Sequence, residues 1–594
     1  MSAKSFIYTI CFAIFFQFSI AQIHVWPSPK RLLINQEGEH LSISNAFRFA
    51  LKGKGQRSSY RLSYESDFRT KSMARVKRGI ARINAVLKIK NENYDSGKSD
   101  GGLRVLEILV VSRSDYDDYP SSKTKYDYNI TINNSVAEAY ASSQYGALYA
   151  METFLQLIDE NGRLPGSSIE IQDEPQNDWR GLLIDSGRRF YPVKVVENLL
   201  DVMSMVKLNV LHLHANDQCR FSIESKRYPT LTSSLTGDFE GSYTQEDIKH
   251  LIEYAADRGI RVVPEIDVPG HAQGFQPLVS EGLKYCPNGN DQLYDDPEGN
   301  TYKIIRDIFE EMAGLFKDEV IHIGADETHV NGECTLETTY NFENRLLQEI
   351  ETEFGKTTEG WQEVLSVTKA ATPQSVVNAW HKYWAYNIID TGRRAVESQI
   401  SWFYFHNPPK SEYPKGWAPC WNDIAHDINE KSRHLLLGGE MSMWGDKYCP
   451  TKRCDPNAEP VAASSLFPPE KNEEFGVSVG GMIWPRGYVG AGAFWGYDSS
   501  IDSQSAEFEE MIWKLNDQVI ERGGTVCPTK CFCDFLTQCG NPISTKPSIS
   551  SVFHIFNFLA NKDLFLIYFC INLICWKFIL LLYFRMRLRL NEWM

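Results

Sequence analysis

Residues 243–267 read YTQEDIKHLIEYAADRGIRVVPEID, and this stretch carries one complete structural unit. Thr244 and Asp247 have the spacing of a capping box, in which each side chain satisfies the other's backbone N–H at a helix start. Ile248, Leu251, Ile252 and Ala255 then recur at helical spacing, so one face of the helix is apolar. Gly259 is the stop, because glycine accepts the left-handed backbone that closes many helices. Val262–Asp267 (VVPEID) follows at once. A short, nearly continuous apolar run suits a strand buried on both faces. This one ends in a carboxylate.

The same texture recurs from Trp179 onward. Gly181–Asp185 (GLLID), Val210–His214 (VLHLH), Val320–Asp326 (VIHIGAD), Val376–Trp380 (VVNAW), Arg394–Ile400 and Leu435–Trp444 are runs of this kind, each bounded by helical or loop sequence. Repeated strand–helix units over about 340 residues predict an α/β fold, a (β/α)8 TIM barrel. Most runs end in a polar or aromatic residue: Asp185, His214 with Asp217, Asp267 with His271, Asp326 with Glu327, and Trp444. The C-terminal strand ends of such a barrel build its active site. Buried strands do not end in carboxylates without a reason.

Upstream, residues 22–175 mix β-rich runs such as Leu103–Val111 with a helical piece near Ala137–Ile158. They predict a smaller α+β domain before the barrel. Arg75–Arg82 reads as a solvated helix face. The expected division is a signal peptide at 1–21, an N-terminal domain at 22–175, the catalytic barrel at 176–526, a Cys-rich cap at 527–545 and an atypical tail at 546–594.

The 594-residue chain is too long for one compact domain, and its 43% apolar content supports a sizeable core. A net charge of −15 argues against nucleic acid as a partner, since phosphate binding needs a basic surface. Lys4, the apolar run Phe6–Ile20 and the small residues Ser19 and Ala21 read as a signal peptide cleaved after Ala21. A membrane anchor would need a longer run. Of the 13 cysteines, ten lie outside this leader and the tail, and an even count in an exported chain suggests disulfides. Cys527, Cys531, Cys533 and Cys539 form a cluster that suits two local bridges or a zinc site; no histidine stands near it. Cys449 and Cys454 are spaced to close a small loop after the last apolar run. Sequons at Asn129 and Asn133 mark a glycosylated surface segment. In the tail, Leu564–Phe584 is mostly apolar and is followed by Arg585, Arg587 and Arg589. It reads either as a single-pass anchor or as translated non-coding sequence.

The chemistry centres on Asp326-Glu327, in His322–Thr328 (HIGADET). Adjacent carboxyls at a strand end point in different directions and can take separate roles at one substrate. A carboxyl held in a partly apolar pocket beside another carboxylate keeps its proton longer, as a general acid must. An exposed Asp-Glu pair in a loop is the bland alternative.

From Trp26-Pro-Ser-Pro29 to about Cys539 the chain resembles the family 20 glycoside hydrolases, the β-N-acetylhexosaminidases. The resemblance lies in Arg180-Gly-Leu-Leu-Ile-Asp185, His212-Leu-His214 with Asp217, Pro264-Glu-Ile-Asp-Val-Pro-Gly-His271, His322-Ile-Gly-Ala-Asp-Glu327, Trp361-Gln-Glu-Val364 and Gly438-Gly-Glu-Met-Ser-Met-Trp444. It implies a retaining mechanism in which the substrate's 2-acetamido oxygen, not an enzyme group, attacks the anomeric carbon. By resemblance Asp326 orients the acetamido group, Glu327 protonates the leaving oxygen, Tyr404 holds the acetamido oxygen, and His271 and Asp217 tune the acid. Arg180 would grip the sugar hydroxyls, with Asp446 and His406 also on the sugar, and Trp361, Trp380 and Trp444 would wall the pocket. A Cys286–Cys334 bridge is likewise implied.

Four positions depart from the family pattern. Ala325 stands where glycine is common, Arg189 where histidine is, Asp446 where glutamate is and His406 where aspartate is. The last two bear on gluco against galacto preference. Expected partners are a glycan or glycoconjugate, a second copy of the chain in a homodimer, and a membrane only if the tail is an anchor. No metal or cofactor is expected. The expected location is the secretory pathway, outside the cell or in a lysosome or vacuole. Competing readings are a non-catalytic glycan-binding barrel and a barrel hydrolase of another family, such as a chitinase. The acid pair argues against the first. The second lacks its Asp-x-x-Asp-x-Asp-x-Glu signature.

Overall fold

The computed structural model describes residues 25–526, apart from 38–39, 53–72, 93–101, 112–118, 134–135, 237–239, 288–290, 331, 406–416 and 446–478. Expectations for the signal peptide, His406, Asp446, Cys449, Cys454, Cys527, Cys531, Cys533, Cys539 and the tail fall outside the described residues. Among the described residues, no helix is long and apolar enough to cross a membrane.

Six strands form the first sheet: β1 (Arg31–Asn35), β2 (Ile43–Leu51), β3 (Leu103–Val110), β4 (Tyr128–Asn133), β5 (Val136–Ala141) and β6 (Ser168–Asp173), in the order β1-β6-β4-β5-β3-β2. Helices α1 (Ala74–Glu92) and α2 (Gln144–Gln156) belong to the same domain and pack on each other. Two expectations change here. Residues 136–141 are a strand rather than helix, because alternate side chains of β5 are buried and it pairs with both β3 and β4. Arg75 on α1 is not solvated: it is buried and ion-paired to Asp257 at 2.7 Å and Glu253 at 3.1 Å, on the barrel side.

Eight parallel strands then close the barrel: β7 (Trp179–Asp185), β8 (Val210–His214), β9 (Arg261–Glu265), β10 (Val320–His322), β11 (Thr357–Trp361), β12 (Val376–Ala379), β13 (Arg394–Glu397) and β14 (Leu436–Met443), with β14 paired to β7. Around them run α3 (Val193–Met205), α4 (Gln245–Ala256), α5 (Asn300–Leu315), α6 (Leu336–Thr352), α7 (Arg486–Gly496) and α8 (Ala506–Glu521). The α4 cap forms as its sequence requires, with Thr244 and Asp247 each accepting from the other's backbone, and Gly259 has φ +77°. One strand, β11, has no counterpart among the apolar runs. It reads TTEGW: Glu359 is buried inside the barrel among His212, Glu440 and Glu265, while Thr358, on the opposite face, is buried against α6 and bonded to Glu351 and Ser375. A polar barrel interior hides a strand from a hydrophobic pattern.

Candidate active site

The strand ends converge on one cavity of about 160 Å³. It is lined by Arg188, His214, Asp217, Asp267, His271, Asp326, Glu327, Trp380, Ile400, Tyr404 and Trp444. Apart from His214, the last residue of β8, these side chains come from segments that leave a strand. Arg188 follows β7, Asp217 follows β8, Asp267 and His271 follow β9, and Asp326 and Glu327 follow β10. Trp380 follows β12, Tyr404 lies on the turn beyond β13, and Trp444 follows β14. His271, Ala325 and Glu327 adopt positive φ of 49°, 70° and 48°, a region that non-glycine residues seldom occupy. Strain of this kind persists where surrounding contacts enforce it, commonly at functional sites.

A relay of charge runs through the cavity wall. His271 Nε2 lies 3.2 Å from Glu327 Oε2 and 3.8 Å from Asp326 Oδ2. His271 Nδ1 faces Asp217 Oδ1 at 3.4 Å. Asp217 Oδ2 takes His214 Nε2 and Arg188 Nη2, each at 2.9 Å. His214 Nδ1 reaches Glu265 at 2.6 Å. Burial by itself would raise the Asp217 carboxyl, but the Arg188, His271 and His214 charges hold it well below the usual carboxylate range. Burial would lower His271, yet Asp217 and Asp326 outweigh it and keep the imidazole protonated well above its ordinary range. Asp326 is buried and its carboxyl is pushed up by that burial, with the Glu265 and Glu327 charges adding to it and His271 opposing. Glu327, by contrast, has a side chain 56% exposed. The adjacent carboxyls therefore differ in environment, one dry and one open, which allows two roles.

Tyr404 and Trp380 lie nearly parallel, 10° apart with ring centroids at 6.1 Å, and Trp444 stands 6.0 Å from Tyr404 on another side. Glu363 anchors the wall by accepting from Trp380 Nε1 at 3.0 Å, and burial next to Asp326 raises its carboxyl to about 7. Several groups, such as His271, Asp326 and Glu327, lie within 4.8 Å of one another, as cation ligands would. His271 already bridges Asp217 and Glu327, however, and a cation there would displace those contacts.

Two placements differ from expectation. Arg180 does not reach the cavity. It sits near the start of β7, fully buried, donating to the Lys207 and Asn177 carbonyls, with its guanidinium 4.9 Å from the Tyr126 ring and 5.2 Å from Trp495. An arginine at the opposite end of a strand from the catalytic face cannot touch the substrate. Arg188 is the arginine in the cavity, paired with Asp185 and Asp217 at 2.9 Å and 5.5 Å from the Trp444 ring. Its signal was the Arg-Arg pair just beyond the first strand. Trp361 is fully buried, does not line the cavity, packs against Trp444 at 5.7 Å and donates its indole N–H to Glu265 at 2.8 Å. His214 and Asp267 also line the cavity; the sequence marked both as polar strand ends within matched motifs but assigned neither a role. Cys286 and Cys334 form a disulfide between the segments after β9 and β10. Asn129 and Asn133 are exposed on β4.

Comparison with known proteins bears on what this cavity does. Residues 177–460 match the family described as "Glycosyl hydrolase family 20, catalytic domain", and residues 25–157 match "beta-acetyl hexosaminidase like". The chain is 30% identical to bovine beta-hexosaminidase subunit alpha over 382 residues, 57% of this chain and 70% of the relative. It is 28% identical to beta-hexosaminidase 3 of Arabidopsis thaliana over 463 residues, 72% of this chain and 81% of the relative. Its fold is similar to that of a Flavobacterium johnsoniae chitobiase, with a TM-score of 0.65 at 23% identity, covering 86% of this chain and 74% of the other.

Proposed function

This chain belongs to glycosyl hydrolase family 20 and is a glycoside hydrolase, and we propose that it removes terminal, non-reducing N-acetylglucosamine or N-acetylgalactosamine from glycans by a retaining, substrate-assisted mechanism. The observation that carries this reading is the unequal carboxyl pair. Buried Asp326 and exposed Glu327 share one small cavity; of the other carboxyls that line it, Asp217 is ion-paired to Arg188 and His214, and Asp267 is buried and accepts the Ala325 N–H. A cavity of about 160 Å³ walled by Trp380, Tyr404 and Trp444 has room for one sugar ring, which supports exo action.

In this scheme the flat indoles of Trp380 and Trp444 pack on the sugar, and Arg188 offers its fork of donors to a ring hydroxyl. Tyr404 holds the acetamido carbonyl oxygen against the anomeric carbon. Glu327 protonates the departing oxygen while that carbonyl attacks. Asp326 accepts from the acetamido N–H and balances the charge of the oxazolinium formed. Glu327 then takes a proton from the water that opens the ring. His271, held by Asp217, lies within reach of Glu327 and keeps a positive charge beside it. His406 and Asp446 are assigned to the sugar hydroxyls and to the choice between the two hexosamines. The chain is assigned to the secretory route, with glycans on Asn129 and Asn133 and delivery to the cell exterior or to a lysosome or vacuole. The Cys286–Cys334 disulfide and the exposure of both asparagines support that route.

Replacing the acetamido group by a hydroxyl is the decisive test, because it removes the nucleophile itself. Effective molarities of well-placed internal nucleophiles reach roughly 10⁵–10⁸ M, so aryl glucosides should be turned over almost not at all beside aryl N-acetylglucosaminides. A thiazoline analogue of the oxazoline should inhibit tightly. Comparable cleavage of both substrates, or a sugar–carboxylate ester trapped on the enzyme, would refute the mechanism.

A further inference from the structure

Asp267, two residues beyond β9, lines the cavity and has no role in the scheme above. Its backbone is clamped by one side chain: Asn216 accepts its N–H at 2.8 Å and donates to its carbonyl at 2.9 Å. Its Oδ1 accepts the Ala325 N–H at 3.1 Å. Gly324 permits that approach, since a Cβ there would stand 1.9 Å from Asp267 Oδ1, and its φ is +69°. The second oxygen, Oδ2, is buried without a hydrogen-bond partner among the described residues. Asp326 Oδ1 is orphaned in the same way. Both carboxyls line the same small cavity, Asp267 Oδ1 accepts the N–H of the residue just before Asp326, and the Asp326 charge acts on Asp267. Between two bare carboxylates that approach is repulsive; with one proton between them it becomes a bond, and a buried carboxyl oxygen gains the partner it otherwise lacks.

We propose that Asp267 and Asp326 share a single proton, that Asp267 carries it, and that this neutral carboxylic acid aims the Asp326 carboxylate at the substrate's acetamido N–H. The charged and titratable neighbours decide which residue holds the proton. Asp326 has the His271 ring 3.8 Å from its Oδ2, whereas Asp267 has no ion-pair partner among the described residues. His214, on the neighbouring strand, is already held by Glu265 and Asp217. Glu265 and Asp326 face Asp267 with negative charge, and His271 and His214 oppose them only in part. Burial and the Asp326 charge accordingly hold the Asp267 carboxyl well above the usual range. Asp267 is a positioning residue: it donates to one Asp326 oxygen and leaves Oδ2, on the His271 side, for the substrate. No proton leaves the pair during the reaction. The purpose assigned to the pair rests on the acetamido mechanism proposed above, whereas the shared proton does not.

Infrared difference spectroscopy of wild type against Asp267→Asn tests the proton directly. At about pH 6 ordinary carboxyls are ionised, and other buried acids cancel between the two proteins. One protonated-carboxyl band present in wild type and missing in Asp267→Asn is the expected result; no such band overturns the proposal. Kinetics give the second test. Asparagine still accepts the Ala325 N–H and donates to Asp326, so Asp267→Asn should keep kcat within about tenfold, while Asp267→Leu should lose on the order of 10²–10³-fold, as loss of one preorganised donor does. Asp267→Asn as damaging as Asp267→Leu in folded protein would mean that an ionised Asp267 is needed, and would overturn it. If wild type failed to hydrolyse acetamido sugars while the band was present, the mechanism would fall and the proton assignment would stand.

Discussion

Exchange of Glu327 for glutamine removes a proton donor and leaves the cavity's shape intact. General acid catalysis is typically worth about 10²–10⁴-fold, so Glu327→Gln should lose kcat/KM in that range on substrates with poor leaving groups and less on activated aryl glycosides. Equal rates for both proteins would take Glu327 out of the mechanism. The two arginines of the first barrel segment make a sharper pair. Arg188→Lys keeps a charge but not the planar fork, and should raise KM and lower kcat/KM in folded protein, with some loss of melting temperature because Arg188 also pairs with buried Asp185 and Asp217. Arg180→Lys should lower the melting temperature and leave KM and kcat of the folded protein unchanged. Its guanidinium donates to two buried carbonyls beside Tyr126 and Trp495, and losing such charged hydrogen bonds costs about 3 kcal/mol. Steady-state kinetics and thermal melts on both variants separate the assignments; an Arg180 variant of normal stability but impaired kinetics would reverse them. In the sequence both arginines flank the same apolar run. Which end of the strand each occupies follows from the direction of the barrel.

At the scale of elements, the long segments after β9 and β10 form one wall of the site and are tied by Cys286–Cys334, 48 residues apart in sequence. A bridge of that span typically contributes about 2–4 kcal/mol. Cys286→Ala with Cys334→Ala should lower stability by that amount. It should also reduce kcat more than remote destabilising changes do, because Asp326 and Glu327 lie on the tied segment. A melting curve and a rate at a temperature where both proteins are folded check this, and unchanged stability would show that the bridge constrains nothing. Strands are legible here in proportion to how apolar they are. β7, β8 and β9 announce themselves, whereas β11 does not, because Glu359 points into a polar interior and Thr358 hydrogen-bonds outward to Glu351 and Ser375. The first segment of the expected helix near residue 137 is a strand because β3 and β4 supply partners for it.

Stability of the whole molecule should depend on pH through its buried acids. Burial raises Glu343, Glu359 and Glu397 from 4.5 to about 8 each. Between those values the folded state holds protons that the unfolded chain has released, so stability is fullest below 4.5 and falls as pH rises towards 8. His212 acts in the same direction. Burial would lower it, but Glu440 and Glu265 raise it from 6.5 to about 10, a contribution present below 6.5 and lost as pH rises through 10. Asp217 and Glu265 act oppositely, since both are held low by cationic neighbours and lose their contribution as pH falls below the ordinary carboxylate range. The melting temperature should therefore peak at mildly acidic pH, between about 4.5 and 6.5, and decline towards pH 8. Differential scanning calorimetry across that range checks it; a maximum at pH 8 or above would contradict the assignment. An acid optimum of stability would fit delivery to an acidic compartment.

Sequence by itself determined the repeating unit and the reactive face. Capping residues, helical spacing and short apolar runs act locally, so the run that ends in Asp267 and the one that ends in Asp326-Glu327 could be read without knowing what they touch. Tertiary structure alone decided which of two arginines meets the cavity and that Trp361 lies beneath Trp444. It also decided that a polar strand, β11, completes the barrel, and that Asp267 and Asp326 line one cavity. These outcomes depend on closure of β14 onto β7 and on contacts between residues far apart in the chain. Burial and charge pairing arise only when such residues are brought together, and no local pattern encodes them.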